Sequence, residues 1–213
     1  MAKSRIPWPP LRRPLVAILR GITPAETEAV VGALVEEGFE AIEIPLNSPD
    51  PFTSIATAAR LAPAHCWIGA GTVLEIEDVD RLADVGGRLL VSPNVDPAVL
   101  ARAAEHGMVT MPGVFTPTEA LAATRAGASM LKFFPATVLG PSGIAAIRAV
   151  LPAGLGIAAV GGVSEEIFAD YARVGVCAFG LGSSLFAPGL SAAQVAQRAR
   201  RVIEAYDRVF GTS

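Results

Sequence analysis

Apolar residues in this chain gather in eight short, β-branched-rich runs, at residues 15–19, 41–44, 67–70, 89–92, 108–111, 129–133, 156–160 and 178–181. Longer Ala-, Glu- and Arg-rich amphipathic stretches separate them. The short runs read as strands apolar on both faces, and the longer stretches as helices. Several helix starts are marked. Thr23-Pro24-Ala25-Glu26 and Thr116-Pro117-Thr118-Glu119 each set a capping threonine before a proline at the first helical position, and Ser164 and Ser191 are further N-cap candidates. Strand followed by helix, eight times over, implies parallel strands covered by helices and predicts a single-domain α/β fold, a (β/α)8 TIM barrel. An open doubly wound sheet is the alternative, but no G-x-G-x-x-G segment opens an early helix. The proline-rich residues 1–14 predict an extended lead-in over the barrel's bottom face, with the barrel itself spanning 15–213.

Composition narrows the partners. A chain of 213 residues, 52% hydrophobic, can bury one sizeable core. A net charge of −3 and a pI near 5.4 leave no broad basic surface for nucleic acid. No stretch reaches the roughly 20 uninterrupted apolar residues of a membrane span, and the start reads as no signal peptide. A cytoplasmic protein bound to neither nucleic acid nor membrane is therefore expected. Cys66 and Cys177 lie in apolar runs and read as small buried hydrophobes rather than a disulfide. With only His65 and His106 beside them, no metal site is expected.

Candidate chemistry starts with Lys132. It is one of two lysines, the other being Lys3, in a chain that carries fifteen arginines. It stands in Met130-Leu131-Lys132-Phe133-Phe134-Pro135, a buried strand ending at proline. Desolvation there lowers an ammonium pKa and frees an amine nucleophile, which an arginine cannot supply. The competing reading is a lysine snorkelling to solvent from a strand end.

Barrel active sites lie at the C-terminal ends of the strands, and few polar residues stand there. Glu43 is the only carboxylate embedded in a strand, where burial raises its pKa toward proton exchange near neutrality; a structural ion pair with an arginine is the plainer alternative. Lys132 and Glu43 come from opposite sides of the barrel and can face one cavity. Gly161-Gly162 follows the seventh strand and Gly182-Ser183 the eighth, where loops of barrels commonly bind phosphate through backbone N–H groups. Glycines that merely permit tight turns are the alternative. Arg20 and Thr72 are further mouth residues suited to carboxylate or hydroxyl oxygens.

Ile18-Leu19-Arg20-Gly21-Ile22, Glu43-Ile44-Pro45-Leu46-Asn47-Ser48-Pro49, Gly69-Ala70-Gly71-Thr72-Val73, Leu131-Lys132-Phe133-Phe134-Pro135, Ala159-Val160-Gly161-Gly162-Val163 and Gly180-Leu181-Gly182-Ser183 occur in that order. Together they resemble the class I aldolases that cleave 2-keto-3-deoxy-6-phospho sugar acids, over nearly the whole domain. The resemblance implies Lys132 as Schiff-base residue, Glu43 as proton shuttle, and substrate contacts at Arg20, Thr72, Gly161, Gly162, Gly182 and Ser183. It implies pyruvate as product, a homotrimer, and no metal or other cofactor, since the iminium supplies the polarisation a Lewis acid would give. Asn47 and Val160 stand where the phosphogluconate branch typically has arginine and threonine, so the motifs resemble the phosphogalactonate branch instead. The lead-in is also poorer in helix-forming residues than the family's usual N-terminal helix. The phosphogluconate epimer, activity on both epimers, a barrel isomerase or synthase using Lys132 only electrostatically, and a non-catalytic phosphosugar-binding barrel are the alternatives.

Overall fold

The computed structural model describes residues 5–211. Eight parallel strands close in sequence order into one barrel. They are β1 (Leu15–Ile18), β2 (Ala41–Pro45), β3 (Trp67–Gly71), β4 (Leu89–Ser92), β5 (Val109–Val114), β6 (Met130–Phe133), β7 (Gly156–Val160) and β8 (Ala178–Leu181). The helices that follow them are α1 (Pro24–Glu36), α2 (Pro51–Leu61), α3 (Ile76–Asp84), α4 (Pro97–Glu105), α5 (Pro117–Arg125), α6 (Ala136–Arg148), α7 (Phe168–Arg173) and α8 (Ala192–Phe210). The (β/α)8 barrel predicted from the pattern is the fold observed. Among the described residues, no helix is long and apolar enough to cross a membrane.

Three of the four predicted caps close. The Glu26 carboxylate accepts from the Thr23 N–H at 2.9 Å. Thr116 and Glu119 exchange reciprocal hydrogen bonds, as do Ser191 and Gln194, so each pair satisfies two otherwise orphaned donors. Ser164 instead opens a 3-10 turn, Glu165–Ile167, with no side-chain cap.

Period-2 alternation along the strands divides the apolar residues into two cores. Outward positions such as Leu15, Ala17, Ile42, Leu90, Leu131 and Phe179 pack beneath the helices. Inward positions such as Val16, Leu89, Val109, Met130 and Ala178 fill the barrel, and Ile6, Trp8 and Leu11 of the lead-in pack against them. Arg13 ties the end of that lead-in to α8, its guanidinium gripping the Asp207 carboxylate through two bonds of 2.6 Å. Residues 5–14 form no helix, as their prolines require. The two cysteines are free.

Strand spacing leaves no room for a side chain at one inward position. A Cβ on Gly69 would lie 1.7 Å from the Leu89 carbonyl oxygen on the adjacent strand. Gly69→Ala must force β3 and β4 apart and is expected to cost about 3 kcal/mol, or a fall in Tm of roughly 6–12 °C for a chain of this size. Thermal unfolding followed by circular dichroism checks this; an unchanged Tm would show that the two strands can separate without loss.

Candidate active site

The upper half of the barrel interior is hollow. Gly71 and Gly180 occupy inward positions there, where a Cβ on Gly71 would overlap the Glu43 carboxylate and one on Gly180 would press on Val160 at 2.7 Å. The hollow is a cavity of about 530 Å³ opening at the C-terminal ends of the strands. All eight residues singled out from the sequence line it: Arg20, Glu43, Thr72, Lys132, Gly161, Gly162, Gly182 and Ser183.

Lys132 is seated on β6, opposite Gly113 of β5 and Ala158 of β7 in the strand register. It is buried, with 6% of its surface exposed, which disposes of the snorkelling alternative. Its Nζ stands 4.9 Å from the centre of the Phe134 ring, a cation–π distance. Glu43 on β2 is also buried and forms no ion pair among the described residues. One of its carboxylate oxygens is buried with no hydrogen-bond partner among the described residues. Thr72, just past β3, holds a left-handed backbone with φ of 57°. That conformation is costly for a β-branched residue, and such strain concentrates at functional sites.

The rim carries an unpaired cation, Arg20. Arg20 makes no ion pair among the described residues; its guanidinium donates to the Asn47 side-chain oxygen. The adjoining Gly21 N–H donates to the Ser48 hydroxyl at 2.9 Å, so the loop after β2 grips the turn after β1 at two points. A neutral amide steers the guanidinium without cancelling its charge. On the rim after β7, two strands round from β1, Gly161 and Gly162 both have positive φ, 94° and 76°. That run lets successive backbone N–H groups approach an anion.

Several contributors were not singled out from the sequence. Phe134 and Pro93 line the cavity, as does Val160, noted above only for its difference from the phosphogluconate branch. Phe134 was within reach of the strand alternation, since 130, 132 and 134 share one face. Asn47 lies outside the cavity and acts on Arg20 across two loops, a pairing that no local pattern encodes.

Burial governs the electrostatics. Loss of water pushes the Glu43 carboxyl up to about 7, against the pull of the Lys132 and Arg20 charges. Loss of water pushes the Lys132 ammonium down to about 8, against Glu43, with Arg20 repulsion lowering it further. Both groups therefore titrate near neutrality as a linked pair. Acylation of Lys132 by an amine-directed reagent, followed by peptide mass spectrometry, is expected to show a midpoint near pH 8, below the ordinary lysine value of about 10.4. Removing a charge that lowers the value must raise it, so Arg20→Gln should shift the midpoint upward; a shift downward contradicts this electrostatic account.

Similarity to known proteins agrees with this geometry. The family model for KDPG and KHG aldolase matches residues 11–202. A probable 2-dehydro-3-deoxy-6-phosphogalactonate aldolase of Rhizobium meliloti (strain 1021) is 72% identical over 208 residues, 98% of each chain. The 2-dehydro-3-deoxy-6-phosphogalactonate aldolase of Escherichia coli (strain K12) is 47% identical, over 91% of this chain and 94% of that one. A solved structure described as native KDPGal superposes with a TM-score of 0.92 at 45% identity, covering 95% of this chain and 98% of that one. The chain belongs to the KDPG and KHG aldolase family.

Proposed function

We propose that the chain is a class I aldolase cleaving 2-dehydro-3-deoxy-6-phosphogalactonate to pyruvate and glyceraldehyde 3-phosphate. The observation that carries this reading is a buried Lys132 amine with a lowered pKa sharing one cavity with the buried Glu43 carboxylate, one of whose oxygens has no hydrogen-bond partner among the described residues. Neutral Lys132 attacks the C2 ketone, and loss of water leaves an iminium. The iminium takes up the electron pair as the C3–C4 bond breaks, while Glu43 accepts the C4 hydroxyl proton. Glu43 then returns a proton to C3 of the enamine, and hydrolysis frees pyruvate and restores the amine. Thr72 and the loop after β6 hold the carboxylate. Gly161, Gly162, Gly182 and Ser183 form the phosphoryl end, and Arg20 supplies charge at the mouth. The same reading takes the protein as cytoplasmic and as a homotrimer. Exposed Leu74, Ile76, Phe115 and Val138, after β3, β5 and β6, offer apolar surface for subunit contact.

The assignment to the galactonate epimer rests on the 72% and 47% identical relatives of that name, and on Val160 where the phosphogluconate branch typically has threonine. Val160→Thr adds one hydroxyl to the cavity wall at nearly constant volume. It is expected to shift the ratio of kcat/KM toward the gluconate epimer by about tenfold, measured on the two 6-phosphates. A wild-type preference for the gluconate form would overturn the assignment.

Incubation with pyruvate and borohydride is expected to add a reduced adduct at Lys132 and none in Lys132→Arg, read by intact and peptide mass. Folded protein that forms no adduct ends the Schiff-base reading. Glu43→Gln should keep trapping while cleavage falls by about 10² to 10⁴. Catalysis needs Glu43 ionised and Lys132 neutral, so kcat/KM should rise with pH between about 7 and 8. Arg20 lowers both values, so Arg20→Gln should move this rise to higher pH.

A further inference from the structure

Backbone N–H groups bind an anion only when their peptides are turned toward it, and a glycine peptide has no side chain of its own to fix that turn. At Gly161 the fixing comes from outside the loop. Thr137, the second residue of α6, donates to the Gly161 carbonyl twice, through its backbone N–H at 3.3 Å and its hydroxyl at 3.2 Å. Donor N–H groups in the first helical turn have no partner within the helix, so this one is available.

The peptide between Gly161 and Gly162 is trans. In a planar trans peptide the C=O and N–H point in opposite directions. Holding the Gly161 carbonyl on the α6 side therefore turns the Gly162 N–H away from the helix, toward the cavity that Gly162 lines. That N–H has no hydrogen-bond partner among the described residues. Thr137 also packs closely on the loop, since a Cβ on Gly162 would lie 2.5 Å from its hydroxyl oxygen. Yet Thr137 is itself exposed and lies outside the cavity lining. Its contacts thus touch neither the core nor the reacting atoms.

We infer that Thr137 is a positioning residue for the phosphoryl end of the substrate, its hydroxyl orienting the Gly161–Gly162 peptide so that the Gly162 N–H faces the anion. The inference rests on the aldolase reading above and on its placement of the phosphate. Thr137→Val keeps the shape and the backbone donor but removes the hydroxyl, and Thr137→Ala serves if that variant fails to fold.

Loss of one such hydrogen bond should raise KM for the phosphorylated substrate, and the inhibition constant of inorganic phosphate, about three- to tenfold. Little change in kcat is expected. Borohydride trapping of pyruvate, which carries no phosphate, should proceed at the wild-type rate, and Thr137→Ser should restore both constants to within about twofold. Unchanged KM and phosphate inhibition in a variant that traps pyruvate normally would overturn the role of Thr137 alone. A parallel loss of trapping, or no rescue by serine, would also overturn it by showing a general structural defect. Failure of the unaltered protein to trap pyruvate would instead overturn the aldolase reading beneath it.

Discussion

A closed eight-stranded barrel encloses an interior only wide enough for side chains to fill, and this limit governs the molecule. Every inward residue either packs the core or leaves a hole. In the lower half Val16, Leu89, Val109 and Met130 pack it. In the upper half Gly71 makes room for the Glu43 carboxylate, Gly180 lines an open cavity, and Lys132 and Glu43 stand at its wall. The walls are apolar and the backbone is occupied in the strand ladder, so these two groups find little solvation beyond each other, the Phe134 ring and whatever enters the cavity. Their displaced titration follows from where the fold puts them.

Arg20 completes this arrangement from the rim. Its charge favours ionised Glu43 and disfavours protonated Lys132, so one guanidinium biases both toward the forms the proposed chemistry needs. Its partner matters for that reason. An aspartate at position 47 would neutralise the guanidinium, and a second arginine would compete for the same space, whereas Asn47 directs it and leaves its field intact.

Strands were legible because parallel barrel strands are apolar on both faces and interrupted by polar helices. The clearest mismatch is β5, read as stopping at Met111 but running to Val114. Proline and glycine look like terminators, yet Pro112 pairs opposite Ser92 and Gly113 opposite Lys132, so the barrel's register carries the strand through. Lys132 and Glu43 were legible because a charged residue inside an apolar run conflicts with its surroundings. Contacts such as Thr137 with Gly161 or Arg20 with Asn47 were not. They join residues 24 and 27 positions apart that meet only because neighbouring strands bring their loops together. Thr110 of β5 and Ser129, just before β6, which exchange backbone-to-hydroxyl bonds deep in the structure, belong to the same group.

The packing of residues Ile6, Trp8 and Leu11 against the barrel's inner core has a bearing on how the chain folds. These three residues precede every strand of the barrel, yet the surface that receives them is assembled from residues as distant as Ala178. Their docking must wait until the chain has been made as far as Ala178 and spans a long sequence separation, the kind of contact that slows folding. During synthesis this apolar segment has nowhere to go, and its seating marks completion of the barrel.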